Sequence, residues 1–464
     1  MGTRVSLQQV TDRIGDGLHG TPKYSETGDI PFINGNNLKS GRIAVDGKTK
    51  YVCEDEYEKH AKSLNERTVL LSINGTIGNV AQYRGEKIVL GKSACYLKCN
   101  EEVDPRFLVY LLKDRVFQGH IRQTATGTTI KNVSLALVRE YEFDLPNMSD
   151  QKAIAHILGT LDDKIELNQK MNQTLEEIAK AIFKSWFVDF DPVRAKAEGR
   201  PTGLPPEISD LFPGELVDSE IGEIPKGWII EEGRHLYSHQ KGLSYKGQFL
   251  SDEDDDLPML NLGSFAGNGK YRRKKLKFYC GEFKDRHQIY KGDLLVANTD
   301  LTQDRLIIGS PILVPDTPNE SDFYLHTHHT TKITPIEESG LTTTFIYFTF
   351  LQDSFRQRVS GFATGTTVLA LPKDTFDALQ VVIPSAPVRS RFEEVAIPIL
   401  SRCSLLAKEI EVLAELRDTL LPKLISGELR IPHHLFSFLR PLRRSQHSLP
   451  LLALHGTGGT PQSS

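Results

Sequence analysis

The sequence predicts a mixed α/β (α+β) protein of two pseudo-repeated globular domains, separated by two long helices that form an antiparallel coiled coil. Three observations carry that reading. The pentapeptide Ala-Thr-Gly-Thr-Thr occurs twice, at Ala125–Thr129 and Ala363–Thr367. The same displacement of 238 positions, from Ala125 to Ala363, lays Val381-Val382-Ile383-Pro384 over Phe143-Asp144-Leu145-Pro146, Phe355 over Phe117 and Leu413 over Leu175. Each copy is followed by an apolar strand ending in proline and then by a long apolar-periodic segment. An internal repeat on this scale decides the architecture before any single motif does. The chain reads as a pseudo-dimer that presents two similar surfaces.

The long segments come first. From Ser149, a good N-cap with Asp150 in the first turn, the positions Ile154, Leu158, Leu161, Ile165, Asn168, Asn172, Leu175, Ala179, Ile182 and Trp186 advance by alternating fours and threes. That is a heptad seam, and Pro192 stops it. The displaced set is Phe392, Ala396, Ile399, Cys403, Leu406, Ile410, Leu413, Arg417, Leu420 and Leu424, with Gly427 placed to end the second helix. About 37 residues at 1.5 Å each make a rod near 55 Å, too long for a helix packed on one globular core. A chain that must return makes the pair antiparallel. Asn168 and Asn172 on the seam lower stability but fix register. Gly159 and Pro398 fall one position apart in the alignment, which predicts a kink or restart in the first turns of each helix.

The globular halves, residues 1–146 and 227–384, mix short strands with turns. Thr68–Ile73, Ala94–Lys98, Asp293–Ala297 and Leu306–Ile308 read as strands. Pro31-Phe32-Ile33-Asn34 has a counterpart in Pro258-Met259-Leu260-Asn261, and helices Arg106–Arg122 and Thr344–Ser360 lead into the repeated pentapeptide. A Pro-rich connector, 192–226, joins the halves. The segment 431–464 contains Arg440, Arg443 and Arg444, has no counterpart after the first helix, and reads as a disordered tail.

Composition narrows the function classes. The chain has 464 residues, 56 Lys and Arg against 60 Asp and Glu, and a formal charge of −4. Any nucleic-acid contact must therefore come from a local patch. Five scattered cysteines fit a reducing compartment, Cys95 and Cys99 lack a second metal-ligand pair, and no apolar run or signal-peptide core is present. These features predict a cytoplasmic protein with no membrane partner.

Catalytic motifs fail on inspection. Phe265-Ala266-Gly267-Asn268-Gly269 matches a methyltransferase cofactor phrase, but it opens no β-α-β unit and no Asn-Pro-Pro-Tyr loop accompanies it, so it reads as a glycine-rich turn. The run from Gly85 to Gly91-Lys92-Ser93 has five residues between its glycines where a phosphate loop needs four. His326, His328 and His329 sit in Thr-rich alternation that reads as an exposed strand better than as a metal site. Glu282-Phe283-Lys284 is half of a nuclease motif. The chain is expected to hold no catalytic residue, no metal and no cofactor of its own.

What remains is local cations. Lys270-Tyr271-Arg272-Arg273-Lys274-Lys275-Leu276-Lys277 interleaves cations with an aromatic ring, suited to phosphate attraction and guanine contacts. The first half offers Lys23, Lys39, Arg42, Lys48, Lys50, Arg84, Lys87 and Lys92 more thinly. Asn36, Asn37, Asn74 and Thr76, on turns, have the chemistry to read base edges. The candidate DNA-binding set is thus Asn36, Asn37, Asn74, Thr76, Arg84, Lys92, Lys270, Arg272, Arg273, Lys274 and Lys275.

The run from Gly127-Thr128-Thr129-Ile130 to Phe143-Asp144-Leu145-Pro146, then Gln151-Lys152-Ala153-Ile154-Ala155-His156-Ile157-Leu158, Leu161-Asp162-Asp163-Lys164-Ile165 and Ala181-Ile182-Phe183-Lys184-Ser185-Trp186-Phe187-Val188-Asp189-Phe190, resembles the central conserved region of a type I restriction–modification specificity subunit. Ile224-Pro225-Lys226-Gly227-Trp228 resembles the entry to the second target-recognition domain of that family. Leu420-Leu421-Pro422-Lys423-Leu424-Ile425-Ser426-Gly427-Glu428-Leu429 resembles its distal conserved end. The resemblance covers about 1–431 and says little inside the variable recognition domains; the tail departs from it. It implies target-recognition domains at 1–146 and 227–384, a central conserved helix at 147–191, a linker at 192–226 and a distal conserved helix at 385–430. It further implies double-stranded DNA as ligand and a bipartite, asymmetric site separated by unread base pairs. The partners it implies are two methyltransferase (modification) subunits, which supply S-adenosylmethionine chemistry, and two restriction (motor–nuclease) subunits, which use ATP and Mg. Helix length would then set the separation of the two reading heads. A stand-alone DNA methyltransferase and a coiled-coil adaptor without DNA contact are the rival readings; methylation by the chain alone, or sequence-blind DNA binding, would favour one or the other.

Overall fold

A computed structural model of the chain describes residues 3–127, 131–251, 253, 256–272 and 276–432. The fold separates into two units, one formed by 1–164 with 413–464 and the other by 165–412.

In the first unit the buried run Thr68–Ser72 forms the interior of a four-stranded antiparallel sheet, in the order Thr11–Asp16, Ala94–Cys99, Thr68–Ser72, Val80–Gln82. A strand buried along its whole length reads as a continuous apolar run and not as an alternation, and Thr-Val-Leu-Leu-Ser does. A second sheet pairs Ile30–Ile33 antiparallel with Tyr51–Val52 and parallel with Val89–Leu90. Thr3–Ser6 pairs antiparallel with Glu142–Leu145. Helix Pro105–Lys113 packs against the main sheet. Asp104 caps it by accepting from the Arg106 and Phe107 amides, and Pro105 takes the first turn, where no amide donor is needed.

The second unit repeats the main sheet of this topology and enlarges its second sheet from three strands to five. Its main sheet runs Tyr237–Lys241, Thr330–Pro335, Leu294–Ala297, Pro311–Leu313, and Leu257–Leu260 again pairs parallel with the strand Tyr324–His326. The repeat extends to backbone detail. A Cβ on Gly17 would lie 2.3 Å from the Leu90 carbonyl oxygen, and one on Gly242 would lie 2.3 Å from that of His326. Only glycine permits so close an approach of two backbones. In the repeated pentapeptide, Gly127 and Gly365 both have left-handed φ (96° and 117°), and the bridge Thr126–Asn132 recurs as Thr364–Ala370. Thr128 and Thr129 of the first copy lie outside the described residues. The displacement is not constant along the halves. Gly17 and Gly242 are 225 apart and Phe117 and Phe355 are 238 apart, because loops such as 73–79 grow to 298–310 in the second half.

Met148–Phe187 and Ala386–Ile425 are each helical over 40 residues, about 60 Å at 1.5 Å per residue. They pack antiparallel. In the first unit Asp162 meets Arg417, and Leu158 and Leu424 share a core; in the second, Asn172 meets Cys403 and Phe183 meets Phe392. The faces follow the heptads. Ile154, Leu158, Ile165, Phe392, Ala396, Cys403, Leu406 and Leu424 are buried, while Leu161, Leu175, Ile182, Ile410, Leu413 and Leu420 are half-buried. Leu167, Ile178, Leu405 and Val412, all off the seam, are exposed. Asn168 is 1% exposed. Among the described residues its Nδ2 has no hydrogen-bond partner, and neither has Asn172 Oδ1, whereas Asn172 Nδ2 donates to the Cys403 carbonyl at 3.3 Å. Polar groups held this way favour one register over its neighbours.

Several sequence expectations need correction. The first helix is capped by Asn147, whose Oδ1 accepts from the Asp150 amide at 2.9 Å, and not by Ser149. It ends before Pro192, where Phe190 turns left-handed (φ 57°). Neither long helix restarts at Gly159 or Pro398. Arg106–Arg122 and Thr344–Ser360 are each two helices. Asp114, in extended backbone, ends one and caps the next through the Val116 amide, and Gln352 breaks the other pair. Leu306–Ile308 is not a strand but part of a loop held by Asp300, whose Oδ2 accepts from the Ile307 and Ile308 amides. His326 lies on a buried strand paired on both sides, not an exposed one. The segment 192–226 is folded, with Val193, Ile208, Phe212 and Ile224 buried, the first three in a core shared with Trp186 and Trp228. The expected tail lies outside the described residues from 433 onward.

Within each unit, taken by itself, the globular part meets its own helix segments by different chemistry at matching positions. In the first unit Asp162 accepts from Arg417 Nη1 at 2.8 Å, from the Tyr110 hydroxyl at 2.9 Å and from Lys113 Nζ at 3.3 Å. The positions 238 residues on from Tyr110, Lys113 and Asp162 are Phe348, Leu351 and Leu400, all apolar. There Phe348 meets Phe183 and Phe392 at ring separations of 5.8 and 5.2 Å.

Candidate nucleic-acid interface

In the first half the strand Ile30–Ile33 ends at Asn34 and turns through a short 3-10 segment, Gly35–Asn37. The turn is held from below. Ser93 Oγ accepts from the Gly35 amide and donates to Asn34 Oδ1, both at 2.9 Å, and Asn79 Nδ2 donates to the Gly35 carbonyl. Asn37 is buried and its amide is spent inside the loop: Nδ2 donates to the Ala44 carbonyl and Thr49 Oγ1, and Oδ1 accepts from the Asn34 amide. Asn36 and Thr76 face outward, with Thr76 Oγ1 donating to Asn36 Oδ1 at 2.8 Å. That bond leaves the Asn36 amide nitrogen without a partner among the described residues.

Asn36 and Thr76 line a cleft of about 530 Å³ together with Tyr24, Lys39, Lys48 and Lys50. Lys50 Nζ sits 4.4 Å above the Tyr24 ring, a cation–π geometry that holds the ammonium at the cleft without neutralising it. Lys39 is balanced by Asp46 at 3.1 Å, and this hydrogen bond holds the Asp46 carboxyl below its ordinary value. The rest of the thin basic set scatters. Arg42 pairs with Asp163 on the long helix, and Lys87 pairs with Glu54. Lys92 and Arg84 are exposed, and Asn74 is half-buried with its backbone bridged to Asn132.

In the second half Phe265–Tyr271 is a tight hairpin whose Gly267, Asn268 and Gly269 all take positive φ. The methyltransferase-like phrase is this turn. Lys270 and Arg272 are exposed at its base. Burial pushes the Glu176 carboxyl, on the first long helix, above its ordinary value, and the charge of Lys270 offsets part of that rise. Arg273, Lys274 and Lys275 lie outside the described residues.

Sequence reasoning passed over a second cluster. The pairing Pro31–Tyr51 recurs as Pro258–Phe278, so Lys277 stands where Lys50 stands. Lys277 Nζ lies 5.3 Å from a tyrosine ring centroid, that of Tyr245, and donates to its hydroxyl at 3.0 Å. The His328 and His329 rings lie tilted at 40° to each other with centroids 3.8 Å apart, and the Tyr245 ring is 6.5 Å from His328. Burial first, then His328, Lys241 and Lys277, push the His329 pKa down. The available signal was the spacing between Pro31-Phe32-Ile33-Asn34 and Pro258-Met259-Leu260-Asn261, which carries Lys50 onto Lys277.

His326 is enclosed, and burial pushes it down to about 3, so it stays neutral. Among the described residues no group of three His, Cys, Asp or Glu is placed to hold a metal ion, and no helix is long and apolar enough to cross a membrane.

The family description "Type I restriction modification DNA specificity domain" matches residues 17–177, a span that takes in the first cleft and most of the first long helix. Over that span the chain is similar to type I restriction–modification specificity subunits. Among specificity subunits, that of HindI from Haemophilus influenzae is 27% identical over 380 residues, covering 70% of this chain and 77% of the relative. The MjaIX specificity subunit of Methanocaldococcus jannaschii is 23% identical over 419 residues, covering 87% and 88%. The crystal structure of the type I S subunit from M. genitalium superposes with a TM-score of 0.56 at 17% identity, covering 91% of this chain and 96% of that one; it shares the fold.

Proposed function

We propose that this chain is the DNA sequence-reading subunit of a type I restriction–modification complex. Each half reads one part of a bipartite, asymmetric double-stranded site, and the long helices dock two modification and two restriction subunits in the cytoplasm. The chain itself catalyses nothing. S-adenosylmethionine chemistry belongs to the modification subunits, and ATP and Mg belong to the restriction subunits. The observation that carries this reading is the duplicated lysine–tyrosine pair. At the same register in each half a lysine lies against a tyrosine ring, beside the exposed Asn36 and Thr76 in the first half and the half-buried His328 and His329 in the second. Lysines supply sequence-independent phosphate attraction, and amides, hydroxyls and imidazoles discriminate base edges. A shared scaffold with divergent readers is what an asymmetric site requires. The domain boundaries that accompany the reading are heads at 1–146 and 227–384, each joined to a conserved helix.

The test is calorimetry and methylation with the purified chain and with the assembled complex. The chain alone is expected to bind no S-adenosylmethionine and to methylate nothing; with its modification subunits it is expected to support methylation at one bipartite sequence. Cofactor binding by the chain free of partner would overturn the assignment.

A further inference from the structure

We infer that His328 and His329, supported by Thr299, form the base-reading edge of the second head, and that Lys277 on Tyr245 is its phosphate anchor. This rests on the reading of the chain as a DNA-recognition subunit and names the side chains that would do the reading in one half.

The strand register places the histidines. In the first half Cys95 pairs with both Asp16 and Leu71; in the second, Thr331 pairs with Lys241 and Val296. The parallel bridge Leu18–Gly91 likewise recurs as Leu243–Thr327. His328 and His329 therefore occupy the places of Lys92, which is exposed, and Ser93, which supports the Asn34 turn bordering the cleft of the first head. Their bonding differs from that of their counterparts. Ser93 is consumed holding the Asn34 turn. In the second head Asn261 Oδ1 accepts from the Gly263 amide at 2.7 Å, so the turn closes without residue 329. His329 instead shares a hydrogen bond with Thr299 through Nδ1 at 3.0 Å. Its Nε2 has no partner among the described residues, and neither has His328 Nδ1, which is enclosed. A hydroxyl can donate or accept, so Thr299 lets His329 present Nε2 as either acceptor or donor.

The His329 imidazole, held neutral by burial and with Nε2 free, matches the single donor or acceptor positions on base edges, and the tilted His328–His329 pair with Tyr245 adds a π surface beside it. Lys277 and Lys241 supply the positive charge that draws a phosphate backbone to the same place. The cluster thus contains both classes of contact, positioning and reading, in one head.

The experiment measures binding of the assembled complex to a duplex carrying its own methylated sequence, and to duplexes with each recognised base pair changed in turn. For the double variant His328→Ala, His329→Ala, discrimination is expected to fall about five- to hundredfold at one or two positions of one half-site, the range set by a good base contact. The other half-site is expected to keep its full preference. Lys277→Ala should weaken all duplexes alike and reduce the salt slope by about one. His329→Gln, which keeps a hydrogen-bonding head and disturbs packing less, should alter preference at the same positions. Unchanged preference in both His329→Gln and the double variant overturns the inference while leaving the DNA-reading assignment in place. Absence of any base preference in the wild-type complex overturns that assignment itself.

Discussion

Asp162→Ala tests how the first head is fastened to the helix pair. Asp162, Lys113 and Arg417 are 20%, 23% and 27% exposed, so the cluster is mostly, not fully, withdrawn from water. Burial pushes the Asp162 carboxyl up, but Lys113, Arg417 and the Tyr110 hydroxyl outweigh it and hold the carboxyl below its ordinary value. The cations respond differently. Burial lowers Lys113 more than Asp162 raises it, whereas hydrogen bonds to Asp162 and Asp418 raise Arg417 above its ordinary value despite burial. The stabilising pair is therefore Asp162–Arg417, and Lys113 is close to a net cost. Removing one partner of a buried ion pair costs about 3–5 kcal/mol. Partial exposure reduces this to about 2–3 kcal/mol, and the Tyr110 hydroxyl left without its acceptor adds about 1 kcal/mol. A total of about 3–4 kcal/mol is roughly a hundred- to several-hundredfold rise in local opening, since about 1.4 kcal/mol is tenfold. Hydrogen exchange over 105–124 and 155–164 measures it. Lys113→Met should change exchange by less than about 1 kcal/mol, because an apolar side chain replaces a charge that gains little. A carboxyl depressed in the folded state stabilises above its unfolded pKa of about 3.9 and loses that contribution as pH falls through the folded value. The gap between wild type and Asp162→Ala should thus be full at pH 6 and shrink below about pH 4. A Lys113→Met loss equal to that of Asp162→Ala, or a gap undiminished at pH 3, would refute this reasoning.

Two further substitutions separate the seam and the basic hairpin. Leu158→Ala, at a fully buried seam position, should cost about 2–5 kcal/mol, while Leu167→Ala, 55% exposed and off the seam, should stay within about 0.5 kcal/mol; thermal unfolding distinguishes them, and equal losses would contradict the seam. Arg272→Ala combined with Arg273→Ala should flatten the salt dependence of DNA binding by about one unit of slope for each phosphate no longer neutralised, without changing the methylated sequence. Wild-type affinity and slope would make the hairpin a solvated loop.

The periodic parts of the fold could be read from the chain because heptad spacing over Ile154–Trp186 and Phe392–Leu424 has few alternatives, and a repeated pentapeptide marks the duplication. Local breaks were harder. Asp114 and Gln352 divide their helices through side-chain bonds to nearby backbone, which apolar periodicity does not register. Leu306–Ile308 looks like a strand by composition, yet the Asp300 carboxylate holds it as a loop. In the candidate site, charge density drew attention to Lys270–Lys275, while the His328–His329 pair was set aside with the metal reading. Its place beside Lys277 and Tyr245 depends on strand register, which becomes visible only when the two halves are laid over each other with their unequal loops allowed for. Asn37 shows the converse. Its residue type suits base reading, but its amide is fully engaged in holding its own turn.

The central claim is that each half of the chain reads one half of a divided site. The direct measurement is methylome sequencing of cells that carry the assembled system with variants confined to one head. Asn36→Ala with Thr76→Ala should relax or change one half of the methylated sequence, and His328→Ala with His329→Ala should change only the other, with the unread spacer constant. A methylated sequence in which variants of a single head alter both halves, or which is not divided at all, would contradict the account.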